Sequence, residues 1–491
     1  MSRILRRKLR RDLWRQRWQF LAAAIVIALG VAVYIGTSDA YRNLGQSFDE
    51  AYAAQRLPDV VLTGTGATAL GSEAVSLPGQ PVVDTRRQGD VAVKIRGRTF
   101  LGRAVAVPDR SQPLVARLAV RYGSLPDQGQ VAVEQHLTDH YGLAPGDTVQ
   151  LLSPTGWRTF AVSGSVLSTE YFWPARSMQE VMTTPENFGV VFTTDASLAT
   201  AVAVPVEQLL LYAPHRHDAA ALAAAAARLA ERHGLIVTTR DDQPSYRTLQ
   251  DDVDAVGTVA NLLPWLFLSA AVLGTYVLLS RVVAAQRAVI GTLRANGVSA
   301  RALRRHYLGF GVTAGLAGSV PGVVTGYYLG GWFTTAYTDA LGLPLRVTEL
   351  HVASQAIGLL VGTAAAALAA WAPARAASRT RPAEAMRITP PGVRGGLSGA
   401  ERALPPLRRL PARWRMALRG ITRSRRRTLL TIIGVAVSVS LVMVFAGMRD
   451  TVNNVIDRQF GRVQLENAEV LTQPGAADGV RSRLESDPDI R

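Results

Sequence analysis

The strongest constraint on this chain is a set of apolar runs bordered by arginine. Residues 18–36 read WQFLAAAIVIALGVAVYIG, and comparable runs occupy 257–280, 308–331, 352–372 and 428–447. Each holds about 20 residues, enough at about 1.5 Å per residue to cross a hydrocarbon core about 30 Å thick. Backbone polar groups in such a core must be satisfied within the segment, so the five runs are expected to be transmembrane helices. A cleavable signal peptide is the competing reading for the first run. Its apolar core would hold about 7–15 residues and end at a small-x-small site. This run is longer and ends in Tyr34-Ile35-Gly36-Thr37, which favours a retained span.

Charge sets the expected topology. The chain has a formal charge of +17, a balance that would ordinarily raise nucleic acid as a partner. The arginines, however, concentrate in 1–17, 281–307 and 373–427, whereas 39–254 holds 24 acidic against 18 basic residues. Basic loops beside spans stay on the cytoplasmic side. With the N-terminus inside, alternation places all three arginine-rich segments inside. It places 37–254, the short loop 332–351 and 448–491 outside. The expected location is the inner (cytoplasmic) membrane, multi-pass, with membrane lipids and no nucleic acid among the partners.

The block 37–254 is long enough for its own core. Alternating runs at 91–95, 130–134 and 148–152 predict strands. Further on, an apolar strand at 208–212, an Ala-rich helix at 218–233 with Asp218 as its cap, and a strand at 235–239 predict a parallel βαβ unit. The fold class expected is therefore an integral membrane α-helical protein with five spans and a large mixed α/β extracytoplasmic domain. In the third span Gly318, Gly322, Gly326 and Gly330 recur every four residues, which lines one helix side with glycine and lets another backbone approach. The segments around 9–41 and 418–450 run in parallel at an offset of 409 residues. That repeat points to the N-terminal part of a duplicated protein of about 800 residues.

Between the second and third spans lies RVVAAQRAVIGTLRANGVSARALRRHY, residues 281–307, with six arginines and no acid. Arg287 and Arg294 are seven apart and share a face if the segment is helical, with Ile290 near that face. An apolar knob flanked by cations suits a cleft on a soluble partner. A basic amphipathic helix resting on anionic lipid has the same spacing.

The stretch 285–299, AQRAVIGTLRANGVS, resembles the FtsX-like permease signature, R-R-x-E-I-G-x-L-R-A-x-G-x-S. Arg287, Ile290, Gly291, Leu293, Arg294, Ala295, Gly297 and Ser299 fit it, while Val289 stands where that family carries an acid. The segment RPAEAMR at 381–387 resembles the family's tail, and YGLAPGDTV at 141–149 resembles a turn of the MacB-like periplasmic core domain. The resemblance implies the permease subunit of an ABC transporter of the MacB and LolCDE type. Such a subunit transmits motion from a cytoplasmic ATPase to extracytoplasmic domains. The cargo class would be a lipid, lipoprotein, peptide or drug-like molecule. It implies ATPase-coupling roles for Arg287, Ile290, Gly291, Leu293, Arg294 and Gly297, and favours docking over lipid contact for the hairpin. It further implies a second permease copy, with ATP and Mg bound on the ATPase and not on this chain. The alternative is a membrane-anchored sensor or scaffold whose outer domain binds a ligand or a periplasmic partner.

Residues that carry catalysis are not arranged here in a recognisable constellation, and no enzyme is expected. There are no cysteines, hence no disulfides, thiolate metal sites or cysteine nucleophiles. The two lysines, Lys8 and Lys94, lie outside any GxxxxGK[ST] motif, so ATP would have to be bound by another polypeptide. His136 and His140 are four apart, but HLTDH lacks the Glu of HExxH, and no metal is expected. The cluster Tyr171-Phe172-Trp173-Pro174 reads either as core or as a contact for an apolar substrate or a partner protein.

Overall fold

The computed structural model describes residues 3–178, 184–343, 345–380, 411, 425–458 and 477–485. Its helices are α1 (Arg3–Arg15), α2 (Arg17–Ala54), α3 (Gly71–Ala74), α4 (Gln135–Tyr141), α5 (Asp195–Ala201), α6 (Ala219–His233), α7 (Pro244–Ala285), α8 (Arg287–Ala295), α9 (Ala300–Ala340), α10 (Val352–Arg379), α11 (Arg425–Arg458) and α12 (Ala477–Glu485). Its strands are β1 (Val60–Thr63), β2 (Val82–Ile95), β3 (Arg98–Val107), β4 (Leu118–Gly123), β5 (Gln130–Glu134), β6 (Thr148–Ser153), β7 (Gly156–Ser168), β8 (Phe188–Thr194), β9 (Val206–Tyr212) and β10 (Ile236–Thr239). The contacts divide the chain into a helical unit, containing 1–42, 256–334 and 348–457, and a sheet unit, containing 43–255 and 335–347.

In the helical unit, α2, α7, α9 and α10 are long and apolar enough to cross a membrane. The fifth expected span, 428–447, falls within α11, and many of its side chains lie outside the described residues. The linker 373–427 is largely outside them as well. Glycine spacing explains how the four helices meet. A Cβ added at Gly318, Gly322, Gly326 or Gly330 of α9 would fall 2.5, 2.8, 2.9 or 3.0 Å from the carbonyl oxygens of Ala24, Ala28, Ala32 and Gly36 of α2. Both series climb together in steps of four, so α2 and α9 run in the same direction, backbone against backbone. Gly30 of α2 meets Phe267 and Leu268 of α7, and Gly257 of α7 meets Tyr41 of α2. Gly311 and Gly315 of α9 meet Ala370 and Thr363 of α10, and Gly358 and Gly362 of α10 meet Ile35 and Val31 of α2. These three registers run in opposite senses, so α7 and α10 are antiparallel to α2 and α9, as alternating crossings require. The buried Ile27, Val31 and Ile35 of α2 form a small core with Ala271 and Ala366.

Among the described residues, the sheet unit contains ten strands in the order β10-β1-β9-β2-β3-β8-β5-β7-β4, with β6 pairing to both β2 and β7. That double pairing closes β2, β3, β8, β5, β7 and β6 into a ring. Alternate residues point inward: Val91, Val93 and Ile95 of β2, Val131 and Val133 of β5, and Val149 and Leu151 of β6 pack together with Leu137 and Tyr141 of α4 and Leu198 of α5. Closure leaves those strands without a free edge to aggregate. The first half of β2 leaves the ring and pairs with β9 from Val82 to Gln88. The expected βαβ unit is present in β9, α6 and β10, and its strands are parallel to each other. They do not touch, because β1 lies between them, antiparallel to both. Leu222, Ala226 and Leu229 of α6 cover β1 and β9. Asp218 sits at the N-cap of α6, but its side chain makes no capping hydrogen bond, which corrects the expected cap.

The first two residues of the aromatic cluster are core, whereas Trp173 and Pro174 are half-buried and line a pocket with Leu137, Phe188 and Leu341. Phe172 is fully buried with Phe48, Tyr52 and Tyr246, and Tyr171 is buried against Phe192. Residues 335–347, expected as part of a free outer loop, pack here too: Leu341 joins the Phe172 cluster and Tyr337 donates a 2.8 Å hydrogen bond to Asp252. The two histidines of HLTDH lie on α4 and are engaged separately. His136 Nδ1 lies 2.8 Å from Glu134 Oε1, and the His140 ring stands edge-on to Tyr141.

Candidate functional site

The segment 281–307 folds as an elbow, and each bend has a local cause. α7 ends at Ala285 and α8 begins at Arg287, with Gln286 between them departing from helical geometry at φ −94° and ψ 12°. Gln286 is held from three sides. Its Oε1 accepts hydrogen bonds from Lys8 Nζ at 2.9 Å and from Tyr307 Oη at 2.8 Å, and its Nε2 donates to Asp12 Oδ2 at 3.1 Å. Lys8 and Asp12 also pair with each other, one turn apart on α1. This network is mostly withdrawn from water, so its charges are compensated by one another and by the amide.

The far end of α8 closes in a Schellman motif. Gly297 adopts φ +83°, its N–H donates to Arg294 O at 3.1 Å, and Val298 N–H donates to Leu293 O at 3.0 Å. Those two bonds satisfy the last carbonyls of the helix, and the left-handed backbone calls for glycine. Ser299 then caps α9, its hydroxyl accepting from Ala302 N–H at 3.2 Å. Arg294 is half-buried and donates from Nη1 to Val298 O at 3.3 Å, which ties the turn back to the helix. The signature residues Arg294, Gly297 and Ser299 therefore shape the bend.

The apolar knob expected at Ile290 is not on the surface. Ile290 is 1% exposed and packs with Leu279, Val282, Leu303, Tyr307 and Phe310; Gly291 is buried beside it and Leu293 lies against the same cluster. The exposed apolar side chain is its neighbour Val289, at 46%, with the exposed Arg287 and Thr292 near it. A seat for α8 on the bundle is needed before any outward face can be presented, and Ile290 is that seat. Arg301, Arg304 and Arg305 at the start of α9 are exposed as well. On α1, Arg6, Arg7, Arg10, Arg11 and Arg15 face outward, whereas its one acid, Asp12, is buried. Among the described residues, the same end of the bundle thus carries a largely cationic surface that includes the exposed Val289 and Trp14.

Sequence reasoning passed over Gln286, Lys8, Asp12 and His306. His306 is completely buried, edge-on to Tyr307 and Phe310. Burial first, and the nearby Lys8 second, push its pKa down to about 4, so the imidazole is neutral at neutral pH. A depressed histidine pKa contributes stability that is complete above the unfolded value of about 6.5 and is lost as pH falls toward about 4. We expect the detergent-solubilised chain to melt at progressively lower temperature across that interval. In His306→Phe the slope should flatten; an unchanged slope would remove His306 as its source.

A search among curated proteins returns no match. Residues 261–382, which contain most of α7, all of α8 and α9, and α10, match the family model FtsX-like permease C-terminal. That match takes in the whole elbow and the signature read at 285–299, and this segment is similar to the C-terminal domain of FtsX-like permeases.

Proposed function

We propose that the chain is the permease subunit of an ABC transporter, in which the α8 elbow is the contact for a separate cytoplasmic ATPase. The observation that carries this reading is the elbow itself. It is a short helix fixed at both ends, seated by Ile290, and presenting Arg287 and Val289 to solvent inside the matched domain. A fixed lever suits force transmission, because displacement of α8 cannot be absorbed by a loose hinge at Gln286. Three continuous helices support the same view. α2, α7 and α9 each contribute residues to both the helical and the sheet unit. Of the three, α2 keeps an uninterrupted ladder for axial displacement, whereas Pro264 in α7 and Pro321 in α9 each remove one backbone hydrogen bond.

In this reading the arginine-rich end is cytoplasmic and the sheet unit is extracytoplasmic, in the inner membrane. The sheet unit serves as the MacB-like core domain, α11 serves as a fifth span, and a second permease copy completes the assembly. ATP and Mg belong to the partner. A pocket of about 250 Å³ between α2, α7 and α10, bordered by Gly30, Tyr34, Pro264, Trp265 and Gly358, is largely apolar in lining and supports a lipidic cargo.

The test is co-purification of the full chain with its ATPase in mild detergent. Val289→Asp and Arg287→Glu should each weaken the pair by about 2 kcal/mol or more, a loss beyond tenfold. Both positions are exposed, so the variants should fold; wild-type melting temperatures would verify this. Retention of the ATPase by both correctly folded variants would reject α8 as the contact.

A further inference from the structure

The helical unit contains a second polar site, at the end of the bundle opposite the elbow. Asp39 of α2 lies beyond the 18–36 apolar run and is 2% exposed. Gln355 of α10 donates from Nε2 to Asp39 Oδ2 at 2.9 Å. The other two oxygens of this pair, Asp39 Oδ1 and Gln355 Oε1, are both buried with no donor at full hydrogen-bond geometry, and among the described residues the Ser354 hydroxyl is the one further group that bears on the carboxyl as a hydrogen-bond donor. Two orphaned acceptors in one side-chain pair are costly, since each gave up water and received nothing in return. A carboxyl group and a primary amide have a neutral arrangement that removes both orphans at once. The amide N–H donates to one carboxyl oxygen, and the acid O–H donates to the amide oxygen. The first of those bonds is present, and the second needs one proton on Oδ1.

We propose that Asp39 is a proton-binding site, held neutral by Gln355 in an acid–amide pair that closes the seam between α2, α9 and α10. The surroundings agree with a neutral acid. From α9 the neighbour is Gly330, whose added Cβ would come within 3.3 Å of Asp39 Cβ, and α9 carries no charged residue between Phe310 and Thr338. The charged or titratable groups facing Asp39 are Arg42 on α2 and His351 at the start of α10. Arg42 donates from Nη1 to Ser354 Oγ at 3.0 Å, so its guanidinium is engaged with that hydroxyl. Burial outweighs both cations and the Ser354 and Gln355 side chains, and raises the Asp39 pKa above the usual carboxylate value. A raised carboxyl pKa gives stability that is complete below the unfolded value of about 3.8 and is lost as pH rises through the folded value. Ionisation leaves a buried anion whose Oδ1 faces the unpaired Gln355 amide oxygen without a shared proton, and the way to hydrate both is to part α10 from α2. The pH on that side of the membrane therefore sets how tightly the four helices close.

The experiment is pH-difference infrared spectroscopy on the full chain in lipid discs, comparing wild type with Asp39→Asn and Gln355→Leu. Wild type should show a protonated-carboxyl stretch that disappears as pH rises, and Asp39→Asn should lack that band altogether. In Gln355→Leu the band should move to higher wavenumber, because the acid has lost its amide partner. Asn can donate and accept as the neutral acid does, so Asp39→Asn should fold. Its melting temperature should match wild type at acid pH and exceed it at alkaline pH. A wild-type difference spectrum reproduced in full by Asp39→Asn would overturn the proposal. So would a band that responds to sodium and not to pH, since the oxygens would then be holding a metal cation.

Discussion

Gly322→Leu should disassemble the helical unit. At this position α9 and α2 touch backbone to backbone: an added Cβ would fall 2.8 Å from Ala28 O, 2.9 Å from Val31 Cβ and 3.1 Å from Ala28 Cα. Two of those three atoms are main chain and cannot rotate away. The helices must separate, and the Gly318, Gly326 and Gly330 contacts loosen with them. Overpacking a tight site costs about 1–3 kcal/mol even where side chains can give way, so a penalty of about 3 kcal/mol or more is expected here. The comparison is Gly331→Leu, one residue beyond the seam, where an added Cβ meets nothing within 4 Å. Helical circular dichroism during thermal melting in detergent reads both. Gly322→Leu should melt far below wild type and Gly331→Leu close to it. Equal melting of the two would mean that the glycine seam is not what joins α2 to α9.

The second large effect belongs to the sheet unit. Arg86 of β2 grips Glu170 with two bonds, Nη1 to Oε2 at 2.6 Å and Nη2 to Oε1 at 2.7 Å, while Nε donates to Gln208 Oε1 at 2.9 Å. Both charged side chains are nearly sealed, at 11% and 10% exposure. Burying charges is expensive, and the pair is tolerated because each neutralises the other. Arg86→Met should therefore lower stability by about 3–5 kcal/mol, since Glu170 is left as an uncompensated buried carboxylate. The double variant Arg86→Met/Glu170→Leu removes both charges and should recover most of that loss. Thermal denaturation followed by proteolysis within residues 43–255 of the full chain measures it. If the double variant proves as unstable as the single one, the pair does more than neutralise itself.

Much of this architecture was legible before any coordinates, for reasons that are local. A membrane span announces itself by length and composition, because a lipid-facing helix must be apolar over its whole crossing. Glycines spaced by four declare a flat helix side because the helical repeat is a property of the backbone. Gly297 and Ser299 could be recognised in the signature since a helix stop followed by a helix start needs those residue types. The strands at 91–95, 130–134 and 148–152 were visible as alternation, which each strand carries within itself.

What only the tertiary structure decided are the matters of which distant groups meet. Ring closure of the sheet depends on β6 finding both β2 and β7, and no single strand encodes two partners. β1 lies between β9 and β10, although almost the whole sheet unit separates it from them in the chain. On α8 the arginines at 287 and 294 favour Ile290 as the outward residue, since Val289 lies about 200° round the helix from Arg287. Packing against Leu303 and Phe310 selected Ile290 for the interior. Lys8 meets Gln286 across 278 residues and Gln355 meets Asp39 across 316. Hydropathy and helical period are written into neighbouring residues, whereas a polar side chain acquires its role from whichever group folding brings within reach.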